Sequence, residues 1–196
     1  MDYLVYNIAE LPADTAEPAV LSPDEQETAV RRGAHYATIR TLLRRELSRR
    51  TNIAPQNIAF TYNRYGKPEF PSQPFNLSHS GNCLCLAFHE SAIGVDVERM
   101  RPRHHLESLA TRFMCPEQLQ AFTARGCPEA EFYACWCAAE AIVKQIGDTM
   151  WNARAYPFLH RNGRIECLFA PSPQVLIFTP MPGYCGAVAY TPDRHD

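Results

Sequence analysis

The 196-residue sequence predicts an α+β fold. Short runs rich in β-branched and aromatic residues are interspersed with two long stretches of helical apolar spacing, and their order lacks the strand–helix–strand regularity of a parallel sheet. No internal repeat is visible.

Taken in order, Tyr3–Ile8 reads as a first strand, and the Pro- and Ala-rich residues from Leu11 to Leu21 read as irregular. Ser22-Pro23-Asp24-Glu25 starts a helix. Ser22 offers an N-cap oxygen, Pro23 suits the first helical position, and Glu25 stands three residues after the cap, in position to form a capping box. The pattern continues to about Arg50, with Gly33 as the point where it divides in two. Ile39, Leu42, Leu43 and Leu47 give the second half an apolar stripe. Arg31, Arg32, Arg40, Arg44, Arg45, Arg49 and Arg50 crowd the same region, which reads either as a solvated basic face or as a surface for phosphate. Ile58–Tyr62 is a further strand and Tyr65–Pro71 a turn-rich loop. Phe75–Gly81 is a short strand ending in a polar turn. Cys83–Phe88 and Ala92–Val97 are expected to form a hairpin around His89-Glu90-Ser91. Basic residues from Arg99 to Arg103 lead into helical segments over 105–113 and from Pro116 to about Phe122. Pro128–Gly147 is the clearest helix, and strand-like runs over 164–169, 174–178 and 186–190 complete the chain.

Composition excludes several classes. A net charge of −2 gives no reason to expect nucleic-acid affinity. No apolar run approaches the roughly 20 residues of a membrane helix, and the short, acidic start Met1-Asp2-Tyr3 is unlike a signal peptide. The eight cysteines make no C-x-x-C pair and no zinc-like spacing, so reduced thiols in a cytoplasmic protein are expected.

Two constellations carry chemistry. Asp96 and Glu98 stand two apart in an apolar run, so on a strand their carboxylates share one face while Val95 and Val97 point away. Adjacent carboxylates repel unless something positive lies between them, and oxygen-only ligation suits a hard cation such as Mg²⁺. A polar face on an edge strand is the plainer explanation for a lone D-x-E. On the 128–147 helix, Trp136, Glu140 and Lys144 fall at i, i+4 and i+8 and share a face. A solvated Glu–Lys pair would explain the last two. Trp136, flanked by Phe132, Cys135, Ala139 and Val143, argues instead that the charges border a buried surface. Glu140 would then be a third carboxylate beside Asp96 and Glu98, with Lys144 one turn away to meet an anion.

In these motifs the sequence resembles the 4′-phosphopantetheinyl transferases of the larger, surfactin-synthetase-activating type. Tyr65-Gly66-Lys67-Pro68, Phe75-Asn76-Leu77-Ser78-His79-Ser80, Gly94-Val95-Asp96-Val97-Glu98 and the run from Trp136 to Lys144 are similar to that family's signatures, in the same order over nearly the whole chain. Glu140 to Gln145 looks most like bacterial members acting on fatty-acid or polyketide carrier proteins. The resemblance implies two similar α+β halves in pseudo-twofold arrangement, Met1–Ser91 and Ala92–Asp196, with the active site in the cleft between them. It implies a cytoplasmic monomer that transfers the phosphopantetheine arm of coenzyme A to a serine of an apo acyl or peptidyl carrier protein and releases 3′,5′-ADP. It also implies that Asp96, Glu98 and Glu140 ligate Mg²⁺, with Mn²⁺ possible. Lys144 and His79 would hold the pyrophosphate, with a hydrogen bond from Ser78. Arg44 and Lys67 would contact the 3′-phosphate end, helped by Arg31 or Arg32. The general base stays open between Glu140 and a metal-bound hydroxide. Ala139 departs from the pattern, since the family has lysine there; a lysine restored at 139 is expected to reach the cleft rim and raise kcat modestly. The alternatives are a relative that binds coenzyme A or a carrier protein without efficient turnover, and a serine hydrolase on Ser78 and His79. The second lacks a G-x-S-x-G elbow, and adjacent residues on a strand face opposite ways.

Overall fold

In the computed structural model, residues 1–192 are described, so the last four residues of the expected C-terminal half lie outside them. In chain order the strands are β1 (Asp2–Asn7), β2 (Thr61–Tyr62), β3 (Pro68–Glu69), β4 (Phe75–Ser80), β5 (Cys83–Phe88), β6 (Ile93–Arg99), β7 (Phe158–Arg161), β8 (Arg164–Cys167), β9 (Gln174–Phe178) and β10 (Tyr184–Tyr190). The helices are α1 (Pro23–Arg32), α2 (Ala34–Thr51), α3 (Leu106–Ala110), α4 (Pro116–Ala124) and α5 (Glu129–Ile146). This is the mixed α+β architecture expected.

Two three-stranded antiparallel sheets, ordered β1-β5-β4 and β6-β10-β9, carry the fold. Helix α2 lays Ile39, Leu43 and Leu47 against Leu84, Leu86 and Phe88 of the first sheet. Helix α5 buries Ala134, Cys137, Ala138, Ala141 and Ile142 in a core shared with Ala187 and Ala189 of the second. The start of α1 and the ends of α1 and α5 follow from the sequence. Ser22 Oγ accepts the Glu25 N–H while Glu25 Oε2 accepts the Ser22 N–H at 3.1 Å, closing the capping box. Gly33, at φ +82°, separates α1 from α2, and Gly147, at φ +83°, ends α5.

The expected hairpin between 83–88 and 92–97 does not form. Both edges of β5 are taken, by β1 and by β4 through the tight Gly81-Asn82 turn, so β6 crosses to the other sheet and pairs with β10. Of the strand expected over 58–62 only Thr61–Tyr62 pairs, with β3, and the β7–β8 hairpin takes in a strand over 158–161 that was not expected. Strands β4 and β6, at the facing edges of the two sheets, are joined by side chains rather than by a main-chain ladder. Val95, Val97 and Arg99 donate their N–H groups to Asn76 Oδ1 (2.8 Å), Ser78 Oγ (3.3 Å) and Ser80 Oγ (3.1 Å). Residues 76, 78 and 80 share one side of β4, which leaves Leu77 and His79 to face the other way.

All eight cysteines are free thiols. Among the described residues no helix is long and apolar enough to cross a membrane.

Candidate active site

A cleft of about 690 Å³ opens between α2, the β2–β3 loop, β4 and the C-terminal half of α5. Arg32, His35, Tyr36, Arg40, Lys67, Asn76, His79, Glu140 and Lys144 are among the residues that line it.

Glu140 and Lys144 of α5 line it, and Asp96 and Glu98 of β6 lie behind them; β6 and α5 approach closely because residue 94 is glycine. A Cβ there would stand 2.0 Å from the Ala141 carbonyl oxygen. Asp96 is buried, and its Oδ1 accepts from Ser78 Oγ at 2.9 Å and from Lys144 Nζ at 2.7 Å. Its Oδ2 is buried with no hydrogen-bond partner. Glu98 Oε2 accepts from Ser80 Oγ at 2.9 Å, and Glu140 Oε2 lies 3.6 Å from Lys144 Nζ. Burial and then the charge of Asp96 push the Glu98 carboxyl above its ordinary range. Burial pushes Glu140 up as well; Lys144 opposes this, while Asp96 and Glu98 add to it. Lys144 moves up despite its burial, because Asp96 and Glu140 hold its charge. These three carboxylates therefore feel one another, and they are only partly neutralised. The ligand oxygens of the three do not all lie within 4.8 Å of one another; the chemistry of the set, oxygen alone with one buried oxygen orphaned, is that of a hard divalent cation's ligands.

The basic end differs from the expectation at several residues. Arg44, expected at the 3′-phosphate, is 1% exposed. Its guanidinium pairs with Glu25 and donates to the Pro55 and Ile58 carbonyls at 2.7 and 2.9 Å, so it is a buried structural arginine turned away from the cleft. Burial pushes the Glu25 carboxyl up, but Arg40 and Arg44 outweigh it and hold the group below its ordinary range. Arg40, one turn earlier, pairs with the same carboxylate yet lines the cleft beside Arg32. Arg31 pairs with Glu27 on the exposed surface. Lys67 does reach the cleft, but two of its donors go to the Ile93 and Lys144 carbonyls at 3.1 and 2.7 Å, tying the β2–β3 loop to β6 and α5. Burial lowers its pKa to about 8. His79 meets His35 edge to face, ring centroids 5.4 Å apart. Burial, then His35 and Lys144, lower its pKa, so at neutral pH it is a neutral imidazole. Ser78 does not face the cleft as His79 does; it links Asp96 to the Val97 N–H.

Sequence reasoning missed His35 and Tyr36, and singled out Arg40 only as one of seven arginines that read as a solvated face or a phosphate surface. The signal was available in the i, i+4 relation of Tyr36 to Arg40 on one helix, hidden within a longer run of arginines. Ala139 is buried in the α5 core at 3% exposure, so a side chain there does not point to the cleft rim as expected.

The family model of the 4′-phosphopantetheinyl transferase superfamily matches residues 92–177. The 4′-phosphopantetheinyl transferase AcpT of Escherichia coli is 34% identical over 156 residues, 76% of each chain. The chain belongs to the 4′-phosphopantetheinyl transferase family. The 4′-phosphopantetheinyl transferase HetI of a Nostoc species is 34% identical over 146 residues, 66% of this chain and 61% of its own. The 4′-phosphopantetheinyl transferase Sfp of Bacillus subtilis is 34% identical over 137 residues, 65% of this chain and 60% of its own. Against two further family members the chain spans about half their length, 49% in each case.

Proposed function

We propose that this family member transfers the 4′-phosphopantetheine group from coenzyme A to a serine of an apo acyl or peptidyl carrier protein, releasing 3′,5′-ADP. The observation that carries the reading is the grouping of Asp96 and Glu140 about Lys144, with Glu98 two residues along β6 from Asp96, next to a cleft whose other lining residues include Arg32, Arg40 and Lys67. In this reading the two halves, 1–91 and 92–196, supply the coenzyme A contacts and the carboxylates respectively.

Asp96, Glu98 and Glu140 would hold Mg²⁺ or Mn²⁺, which supplies charge neutralisation at the pyrophosphate. Lys144 moves between Asp96 and the substrate phosphates, and Arg32 and Arg40 meet the 3′-phosphate end. His79, neutral before substrate arrives, donates a hydrogen bond to a phosphate oxygen. The carrier serine oxygen bonds to the phosphorus that bears the pantetheine arm, and the bond from that phosphorus to the oxygen bridging it to 3′,5′-ADP breaks. In this reading Glu140, which lines the cleft, accepts the serine proton. Holding both reactants in one cleft offsets much of the entropy of bringing them together.

Mass spectrometry of an apo carrier protein incubated with coenzyme A and Mg²⁺ tests the reading. A gain of the phosphopantetheine mass is expected with the natural chain and none with Asp96→Asn. Coenzyme A binding without any mass gain, across several carrier proteins, would select the binding-only alternative. Undiminished transfer in the presence of EDTA would sink the metal assignment.

A further inference from the structure

Helix α5 carries a second polar stripe that the proposed transfer does not use. Glu131 and Cys135 lie at i and i+4, about 160° around the helix from the stripe of Trp136, Glu140 and Lys144. His160 on β7 faces them, and one ligand atom from each of the three lies within 4.8 Å of the others. Nothing in the spacing of residues 131, 135 and 160 announces this grouping; tertiary structure alone assembles it.

The frame around the three is built. Gln118 of α4, 1% exposed, donates to Glu131 Oε1 at 3.1 Å and lies 3.7 Å from Cys135 Sγ, and its Oε1 accepts the His160 N–H at 2.7 Å. Cys135 is fully buried, whereas the Glu131 and His160 side chains reach solvent at 11% and 17% exposure. His160 Nδ1 is 3.9 Å from Glu131 Oε1. Arg125 covers Glu131 from the solvent side, its Nε donating to Oε2 at 3.0 Å. One sulfur, one imidazole nitrogen and one carboxylate oxygen form a donor set unsuited to Mg²⁺, which takes oxygen, and suited to borderline-soft ions.

We propose that Glu131, Cys135 and His160 bind a divalent cation of the Zn²⁺ class, with water in the fourth position. Bonds of about 2.0–2.3 Å in a tetrahedron put donors roughly 3.3–3.8 Å apart, so from separations within 4.8 Å the three need to draw in by no more than about 1.5 Å. Glu131 and His160, at the surface, make that movement while Cys135 and Gln118 stay. Burial holds the Cys135 thiol protonated in the metal-free protein. On binding, the sulfur bonds the metal and its proton passes to solvent, so affinity rises with pH. Glu131 must leave Arg125 to bind, so the arginine competes with the ion. The bound ion pins β7 to the N-terminal half of α5, away from the cleft, and acts on stability rather than on transfer.

Titration of the whole, metal-stripped protein with Co²⁺ tests this. A thiolate-to-cobalt charge-transfer band is expected, absent in Cys135→Ser, with affinity lowered at least about tenfold in His160→Ala and raised in Arg125→Ala. Zn²⁺ should raise the melting temperature of the natural protein but not of His160→Ala. No band with the folded natural protein, or an undiminished band in both Cys135→Ser and His160→Ala, would overturn the proposal. Should Cys135→Ser not fold, His160→Ala decides alone: undiminished affinity overturns the site, and the predicted loss upholds it.

Discussion

The contact between Gly94 and α5 makes the sharpest demand on the chain. In Gly94→Ala the new Cβ would stand 2.0 Å from the Ala141 carbonyl oxygen and 2.5 Å from the Gln145 nitrogen, and neither backbone atom can rotate aside. Ordinary contact begins at 3.4 Å, so α5 must retreat from β6 by the difference, about 1.4 Å. Overpacking of this kind costs roughly 1–3 kcal/mol. For a chain of this size that is a fall in melting temperature of roughly 2–12 °C. The retreat also carries Glu140 and Lys144 away from Asp96 and Glu98, and a displacement of about 1 Å in such a constellation costs on the order of 100-fold in rate. Thermal unfolding would be measured beside transfer rate by mass spectrometry, well below the melting temperature. Gly186→Ala is the control, since its Cβ would meet the ring of Phe178 at 2.7 Å, a side chain that can shift. It should lose stability but keep most of its rate. A natural rate in Gly94→Ala, or an equal loss of rate in both variants, would refute the reasoning.

Arg44→Ala should cost about 3–5 kcal/mol in chemical unfolding, because it removes one partner of a buried ion pair; Arg32→Ala should leave stability unchanged and weaken coenzyme A more than dephospho-coenzyme A in calorimetry. Lys67 has a folded pKa of about 8 against an ordinary 10.5, so its charged form opposes folding below pH 8 and that cost fades as pH rises from about 8 toward 10.5. The stability difference between the natural protein and Lys67→Met, from denaturant titrations, should therefore grow in the natural protein's favour over that window. Ala139→Lys, at a buried position, should destabilise by roughly 1–3 kcal/mol and lower kcat rather than raise it, as steady-state kinetics with an apo carrier protein would read out.

Local chemistry was legible where it is satisfied locally. The Ser22–Glu25 capping box, the glycine stops and the i, i+4 pairing of Glu140 with Lys144 follow from neighbours in the chain. The second task of Glu25, holding Arg40 and Arg44, depends on residues a helix away, and a buried arginine looks in sequence like a solvated one. The divergence of β5 and β6 was invisible for a related reason. Two apolar runs around a short polar link read the same whether they pair together or with β4 and β10. Ala139 misled because its motif suggests the catalytic face, while helical geometry turns it into the core.

The side-chain seam between β4 and β6 has a consequence for solubility. Each of these strands is the outermost of its sheet, and a bare strand edge is a template onto which another chain can add itself. Here Asn76, Ser78 and Ser80 occupy the N–H groups that such an intruder would seek on β6. Because the two edges shield each other, any event that parts them, whether truncation, partial unfolding or replacement of the serines by valine, uncovers two adhesive surfaces at once. Aggregation of this protein should begin at that seam, and before its cores melt.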